Sequence, residues 1–166
     1  MTDLGRLSHF LESEFKTRKE GILMHQQKYI GELLERFQMI DCNIASNPSE
    51  TNAKLDECTN EERVKATKFK QIVGSLRYLC NNRQDICFAV SIISRFMNDP
   101  RKSHLTVAKR ILRYVKGTLK LGMIFPSINN EGEAELEGYS NSDWCGDRMD
   151  RKSTFGYLFK SNGAAI

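Results

Sequence analysis

The sequence predicts an α+β fold in which an N-terminal β-hairpin, a bundle of about four helices and a C-terminal antiparallel β meander follow one another. Between residues 26 and 117, apolar side chains recur every three or four positions, which is typical of helices that bury one face. After Gly122 they alternate with polar side chains, as in strands with one face in water. A chain of 166 residues is long enough for about one domain with its own hydrophobic core.

The first predicted elements are strands. Residues 7–15 and 22–25 are rich in strand-forming side chains, and the polar stretch Lys16–Gly21 between them fits a hairpin connection. Residues 26–39 then repeat apolar side chains at helical spacing and predict an amphipathic helix. The polar stretch 41–60 has no such period, so we expect an exposed loop there and the most mobile segment of the chain.

Two further helices are predicted in the middle of the chain. The first covers residues 61–80 and begins with a capping box in which the Thr59 hydroxyl and the Glu62 carboxylate satisfy early backbone N–H groups. The second begins with Asp85 as its N-cap and stops before Pro100. Its wide apolar face predicts a central position, and the short connections favour antiparallel packing in a small bundle.

The fourth predicted helix, residues 103–117, has an apolar side and a basic side. Ser103 is the predicted N-cap, and Gly117 is the predicted left-handed residue that ends the helix. Eight Lys or Arg residues lie between Arg95 and Lys120 against a single acid, whereas the whole chain has a net charge of only +4. Localised positive charge is typical of nucleic-acid-binding surfaces, although most basic helix faces are merely solvated. The candidate nucleic-acid-binding residues are Lys109, Arg110, Arg113, Lys116 and Lys120.

The C-terminal strands are predicted at residues 123–125, 134–142 and 155–160, between polar connections. Glutamates at every second position from Glu131 to Glu137 indicate a solvated strand edge rather than a metal site. A short meander with an uncovered face is an incomplete domain, because a sheet must bury one face against another layer.

Composition argues against several classes of protein. The five cysteines are odd in number and form no Cys-x-x-Cys pair, which argues against a disulfide framework and a zinc site. His9, His25 and His104 lack metal-ligand spacing, so we expect them to be structural or surface residues, and we expect no cofactor. No apolar run approaches the roughly 18 residues of a membrane span, and the N-terminus lacks the apolar segment of a secretion signal. We therefore expect an intracellular protein, cytoplasmic or nuclear, with no membrane partner.

Several short motifs, taken together, resemble a known family. They are Asp3–Leu11, Gln27–Ile30, Val73–Leu79, Arg83–Ile86, Ser94–Met97, Lys109–Tyr114 and Lys116–Thr118. Their order and spacing resemble the Pol polyprotein of copia-type retrotransposons, at the point where reverse transcriptase runs into ribonuclease H. The resemblance covers essentially the whole chain. It implies a truncated fragment, with the reverse transcriptase end and a thumb- or connection-like helical region at 1–121 and the start of a ribonuclease H-like β region at 122–166.

The resemblance gives the basic side of the fourth helix a partner. In the family this region would hold the primer–template duplex, so we expect weak, sequence-independent binding of RNA–DNA or DNA duplexes. The remaining parts of the polyprotein would be further partners. The paired aspartates of the polymerase palm would lie upstream of Met1, so we expect no polymerase activity from this chain.

The resemblance also implies an altered ribonuclease H site. Residues 138–147 look like the family's first strand and turn, and position 141 would hold its first Mg²⁺-binding Asp. Here the residue is Asn, whose neutral carbonyl replaces a bridging carboxylate, and the later ligands would lie beyond Ile166. Two other departures are Glu12, where the family usually has Gly in a hairpin, and Gln84, where it usually has Pro. We therefore interpret the chain as a fragment that by itself is not an enzyme and holds no metal.

Two alternatives stay open. One is a metal-dependent nuclease that reassembles a site from Asp143, Asp147 and Asp150. The other is a small helical module whose basic amphipathic helix binds a partner protein or an anionic membrane surface. Salt-sensitive binding to duplex, compared with binding to liposomes and proteins, separates the fragment interpretation from the helical module.

Overall fold

The computed structural model describes residues 5, 7–50, 55, 60–127, 135–142, 153 and 155–165. Within these residues the chain has the predicted α+β fold, with four α-helices and two antiparallel sheets. They belong to two compact units. The helical unit is Gln26–Leu121, and the strand unit comprises the described residues up to His25 and from Gly122 onward. The predicted division into polyprotein domains after residue 121 stays a prediction.

The first sheet of the strand unit confirms the N-terminal β-hairpin and adds a strand to it. It consists of β1 (His9–Phe10), β2 (Ser13–Arg18), β3 (Gly21–His25) and β4 (Met123–Pro126), in that order and antiparallel throughout. β4 pairs with β3, and Met123 lies opposite Met24. The prediction that residues 123–125 begin a C-terminal meander is therefore wrong. Alternation identifies a strand but not its partner, and this partner is distant in the sequence.

Two tight turns shape the first sheet. Leu11 and Glu12, with φ angles of 45° and 58°, form a two-residue loop between β1 and β2 and split the first predicted strand. Two-residue hairpin loops with positive φ at both positions match the twist of the strands, and glycine adopts such angles most easily. The Lys19–Glu20 loop between β2 and β3 is equally short. A Cβ atom at Gly21 would collide with the Phe125 carbonyl oxygen, so glycine is needed where β4 approaches.

The second sheet consists of β5 (Leu136–Ser142), β6 (Phe155–Ser161) and β7 (Ala164–Ala165), in that order and antiparallel. The first two confirm predicted strands, and two of the four glutamates of the predicted edge, Glu131 and Glu133, lie outside the described residues. β7 was not predicted. It follows a turn in which Asn162 and Gly163 have φ angles of 49° and 80°, and Asn-Gly is a strong hairpin signal. The ribonuclease H type of this sheet stays a prediction.

The helical unit contains the four predicted helices, α1 (Gln27–Arg36), α2 (Ala66–Leu79), α3 (Cys87–Ser94), which follows a 3₁₀ turn at Gln84–Ile86, and α4 (Lys102–Gly117). α2 begins later than predicted. The backbone before it pairs with another segment, and the Val64 N–H donates to the Pro100 carbonyl oxygen at 3.0 Å. Thr59, the predicted start of the capping box, lies outside the described residues.

The apolar faces of the helices meet in one hydrophobic cluster. Its largest fully buried side chains are Phe69, Ile30, Leu33, Ile72, Leu76, Leu79, Ile86, Ile93, Ile111, Leu112, Val73 and Val90. All four helices contribute, so packing of amphipathic faces holds this unit together. Of the described helices, none has the length and apolarity that crossing a bilayer requires.

Candidate nucleic-acid interface

Helix α4 has one side in the core and its basic residues on the others. The side chains without any exposed surface are Ala108, Ile111, Leu112 and Val115. Lys109, Arg113 and Lys116, at spacings of four and three, form a stripe beside this apolar side. Of the candidates, two are exposed, Lys109 and Lys120, and three are half-buried, Arg110, Arg113 and Lys116.

An imidazole ring fixes the start of α4. The backbone N–H of the N-cap residue Arg101 donates to Nδ1 of His104 at 3.0 Å. With Nδ1 as acceptor, the neutral ring carries its proton on Nε2, which donates to the Leu55 carbonyl oxygen at 3.2 Å. The ring also stacks on Phe96, with 3.9 Å between centroids. His104 thus has the structural role predicted for it. The predicted N-cap, Ser103, is wrong, because it lies inside the first turn.

The end of α4 also differs from the prediction. Thr118 is the C-cap, with a φ of −123°, and Gly117 is the last helical residue rather than a left-handed one. The predicted role of Gly117 is therefore wrong. Its lack of a side chain makes room for a neighbouring segment, because a Cβ atom there would lie 3.3 Å from the Cβ atom of Ile44.

That neighbouring segment is residues 42–50, here called the strap. Nε of Arg113 donates to the Asn43 carbonyl oxygen at 2.7 Å, and Nζ of Lys116 donates to the Cys42 carbonyl oxygen at 2.5 Å. The start of the loop predicted as mobile is therefore tied to the basic side of α4. These contacts could not be predicted from the sequence, because backbone carbonyl groups are present at every residue.

Most of the positive charges of the candidate residues are not neutralised by a carboxylate among the described residues. The two that donate to strap carbonyl groups meet neutral acceptors. Nη1 of Arg110 donates to Oε1 of Glu50 at 2.6 Å, but this carboxylate is 63% exposed, and such ion pairs are worth only about 0–1 kcal/mol. Lys109 and Lys120 make no ion pair or hydrogen bond with any residue that the structure describes. Four positive charges therefore lack a carboxylate partner among the described residues, namely those on Lys109, Arg113, Lys116 and Lys120.

A buried arginine, which in the sequence was only part of a motif, holds the end of α4. Arg83 is 3% exposed, and its Nη1 and Nη2 donate to the carbonyl oxygen and Oγ1 of Thr118 at 3.1 and 2.6 Å. Its Nε and Nη2 donate to the two carboxylate oxygens of Asp85 at 2.9 and 2.7 Å. The prediction of Asp85 as an N-cap is wrong, because its carboxylate pairs with this arginine. The bidentate pair with Asp85 lies within the α2–α3 connection, and the hydrogen bonds from Arg83 to Thr118 join this connection to the C-cap of α4.

Electrostatics keep this pair ionised. Burial alone would raise the pKa of Asp85, but the hydrogen bonds and charge of Arg83, with the Tyr114 hydroxyl, hold that pKa below its ordinary value. Burial and the hydrogen bond to Asp85 raise the pKa of Tyr114. The guanidinium group also lies 5.8 Å from the centroid of the Tyr114 ring. Arg83 is therefore committed to positioning α4.

The position of the expected metal ligand lies on β5. The backbone of Asn141 pairs with Gly156 of β6, whereas Asp143, Asp147 and Asp150 lie outside the described residues. Within the part of the chain that the structure describes, no three His, Cys, Asp or Glu side chains are grouped to hold a metal ion. A neutral amide does not fit the role of a bridging carboxylate for Mg²⁺.

Similar proteins are encoded by transposons. The chain is 38% identical over 156 residues to the retrovirus-related Pol polyprotein from transposon RE1 of Arabidopsis thaliana, a match that covers 94% of this chain and 10% of that polyprotein. It is 35% identical over 175 residues to the corresponding polyprotein from transposon TNT 1-94 of Nicotiana tabacum, covering 100% of this chain and 13% of the polyprotein. The chain thus spans about a tenth of the length of these polyproteins.

A shorter relative is an uncharacterized mitochondrial protein of Arabidopsis thaliana. It is 34% identical over 158 residues, which cover 95% of this chain and 64% of that protein. No protein-family model matches the chain, and no solved structure matches it significantly.

Proposed function

Because the chain belongs to the Pol polyproteins of copia-type retrotransposons, we propose that it is a duplex-holding segment of such a polyprotein. In this proposal the helical unit corresponds to the thumb or connection of the reverse transcriptase, and the sheet β5–β7 to the start of ribonuclease H. The segment binds RNA–DNA or DNA duplexes weakly and without sequence preference. It acts beside the rest of the polyprotein, in the cytoplasm or nucleus, and has no catalytic activity by itself.

One observation supports the binding part of the proposal, namely the four charges on α4 and just beyond it that lack a described carboxylate partner. From Lys109 to Lys116 the helix rises about 10 Å, and each strand of a duplex presents about three phosphates over that length. Cations that contact phosphates need not read bases, which suits a protein that must hold any sequence.

The strap orients two of these cations without neutralising them. Arg113 uses one of its five N–H donors on the strap, and Lys116 uses one of its three. Donors therefore remain for phosphate oxygens on both side chains. Their hydrogen bonds to the strap also restrict their rotamers, which lowers the entropy lost when a duplex binds.

The test is a titration of a short duplex with the whole chain at several salt concentrations. If the four cations meet about four phosphates, a plot of log binding constant against log salt should have a slope of roughly −3 to −4. Lys109→Glu combined with Lys120→Glu should reduce this slope to about half or less. Neither lysine makes a hydrogen bond or an ion pair with the described residues of the strap, so the hydrogen bonds from α4 to the strap stay intact.

The matched control replaces Lys68 and Lys70, two exposed lysines of α2, by Glu. It changes the net charge of the chain by the same amount but leaves the basic side of α4 unchanged. An equal loss of binding in the control would contradict the proposed surface. Unchanged affinity and slope in the α4 variant would contradict it as well.

The non-catalytic part of the proposal is supported by Asn141. The chain should leave an RNA–DNA hybrid intact in Mg²⁺ or Mn²⁺, and Asn141→Asp alone should not create cleavage. Two-metal cleavage needs several carboxylates around ions about 4 Å apart, and one restored ligand does not provide them. Asp143→Asn serves as the control for contaminating nuclease. Cleavage by the unchanged chain that disappears in this control would favour the nuclease alternative.

The buried side of α4 argues against the helical-module alternative. A helix that docks into a groove or a membrane must offer its apolar side. In α4 the side chains of Ala108, Ile111, Leu112 and Val115 have no exposed surface, because that side lies in the core of the helical unit.

A further inference from the structure

Two cysteines meet where α2 turns into α3. Cys80 is the C-cap of α2, and Cys87 is the first residue of α3. Both are free and partly exposed, and both line a cavity of about 340 Å³ together with Arg77 and Ser91. A small molecule that enters this cavity therefore meets both cysteines.

The thiol of Cys87 packs against the backbone of Cys80. Sγ of Cys87 lies 3.6 Å from the Cys80 carbonyl oxygen and 3.6 Å from the Arg83 carbonyl oxygen. Both side chains also line the same cavity, so the two cysteines are close neighbours. Two cysteines placed in this way are candidates for a disulfide, whose S–S length is about 2.05 Å.

The two sulfur atoms have different acidities. The hydrogen bond from Cys80 stabilises the Cys87 thiolate, and this holds the pKa of Cys87 below its ordinary value despite burial and the nearby Asp85. The same hydrogen bond, together with burial, raises the pKa of Cys80. The position of Cys87 at the N-terminus of α3 adds the positive end of the helix dipole.

We propose that Cys80 and Cys87 form a thiol–disulfide exchange site for small disulfides such as oxidised glutathione. The Cys87 thiolate attacks one sulfur of the small disulfide, forms a mixed disulfide and releases one thiolate. Cys80 then loses its proton to solvent and attacks the Cys87 sulfur, which releases the second small thiol. In sum, two protein thiols are oxidised to one disulfide, and one small disulfide is reduced to two thiols.

The acidities fit this order of events. Once Cys87 is in the mixed disulfide, it no longer has the negative charge that holds the proton on Cys80, so Cys80 becomes easier to deprotonate. The Cys80–Cys87 disulfide would link α2 covalently to α3 across the connection that contains Arg83. Since Arg83 binds Thr118, oxidation would also stiffen the attachment of the end of α4.

The experiment treats the folded chain with oxidised glutathione and maps the products by mass spectrometry. We expect a loss of two hydrogen atoms per chain and a linked peptide pair containing Cys80 and Cys87. Cys80→Ser should trap a stable glutathione adduct on Cys87, whereas Cys87→Ser should leave Cys80 slow to react. Cys42, also partly exposed, is the internal reference, and Cys87 should react roughly threefold faster or more.

Separate, stable glutathione adducts on both cysteines of the unchanged chain would overturn the proposal. So would a Cys87 that reacts no faster than Cys42. If the serine variants fail to fold, the unchanged chain still decides, because pairing in urea should spread over all five cysteines. The proposal would also be overturned if the Cys80–Cys87 disulfide made up no larger a fraction of all disulfides in the native chain than in urea.

Discussion

The helical unit and the second sheet place the same kinds of side chain in opposite surroundings. Phe69 of α2 and Leu112 of α4 have no exposed surface, whereas Tyr157 and Phe159 of β6 are 68% and 44% exposed. Both regions show the apolar period of their secondary structure. The difference shows that the spacing of apolar residues identifies the apolar face of a helix or strand. It does not show whether another element covers that face.

A matched pair of phenylalanines gives the largest test of this comparison. Phe69→Ala should destabilise the chain by about 3–5 kcal/mol, because an enclosed ring leaves a cavity. Phe159→Ala should cost about 1 kcal/mol or less, because much of this ring already faces water. Denaturant unfolding followed by far-UV circular dichroism measures both. Equal losses would show that the second sheet is as well enclosed as the helical core.

A smaller effect is expected from the ion pair that fixes α4. Removing the carboxylate with Asp85→Asn should cost about 2 kcal/mol at neutral pH, because the guanidinium group of Arg83 stays buried without its charged partner. Asp99→Asn is the control, since Asp99 is 52% exposed and pairs with Arg101 at the surface. It should cost about 0.5 kcal/mol or less.

The same pair predicts an acid dependence with a definite sign. The pKa of Asp85 is lower in the folded chain than its ordinary value of 3.8, so the unfolded chain binds more protons in this range. The contribution of Asp85 is complete above that value and is lost as the pH falls through 3.8 and then through the folded pKa. Unfolding midpoints across this range should fall less steeply in Asp85→Asn than in the unchanged chain. Identical slopes would show that this carboxylate does not cause the loss of stability in acid.

Structural features whose interacting residues lie close together in the sequence could be predicted, and features whose interacting residues lie far apart could not. The four helices were predictable because their apolar residues repeat within one element. Their ends were not, since His104 caps the start of α4 with help from Leu55, and Arg83 binds its C-cap, Thr118. The place of β4 was missed for the same reason, because its partner β3 lies nearly the whole helical unit away.

The candidate site divides in the same way. The basic residues of α4 were visible from their spacing, and their exposed or half-buried positions agree with a surface role. The strap was not visible, because Asn43 and Cys42 accept through backbone carbonyl oxygens that no residue type marks. The thiol pair was missed because Cys80 and Cys87 lack the spacing of a known motif and meet only across a helix connection.

The smallest predicted effect compares two turns inside the strand unit. The turn before β7 uses Asn162 and Gly163 at positive φ, the residues that such turns favour, whereas the turn before β2 uses Leu11 and Glu12. A residue with a side chain costs roughly 1–2 kcal/mol in the left-handed region. Glu12→Gly should therefore stabilise the first sheet by about 0.5–1 kcal/mol, since part of the relieved strain is offset by the greater freedom of glycine in the unfolded chain. Slower hydrogen exchange of the β1 and β2 amides would measure this gain.

Glu12→Ala keeps a Cβ atom and should give no gain, which makes it the control. Faster exchange in Glu12→Gly would mean that the Glu12 side chain stabilises the turn by more than its backbone strain costs.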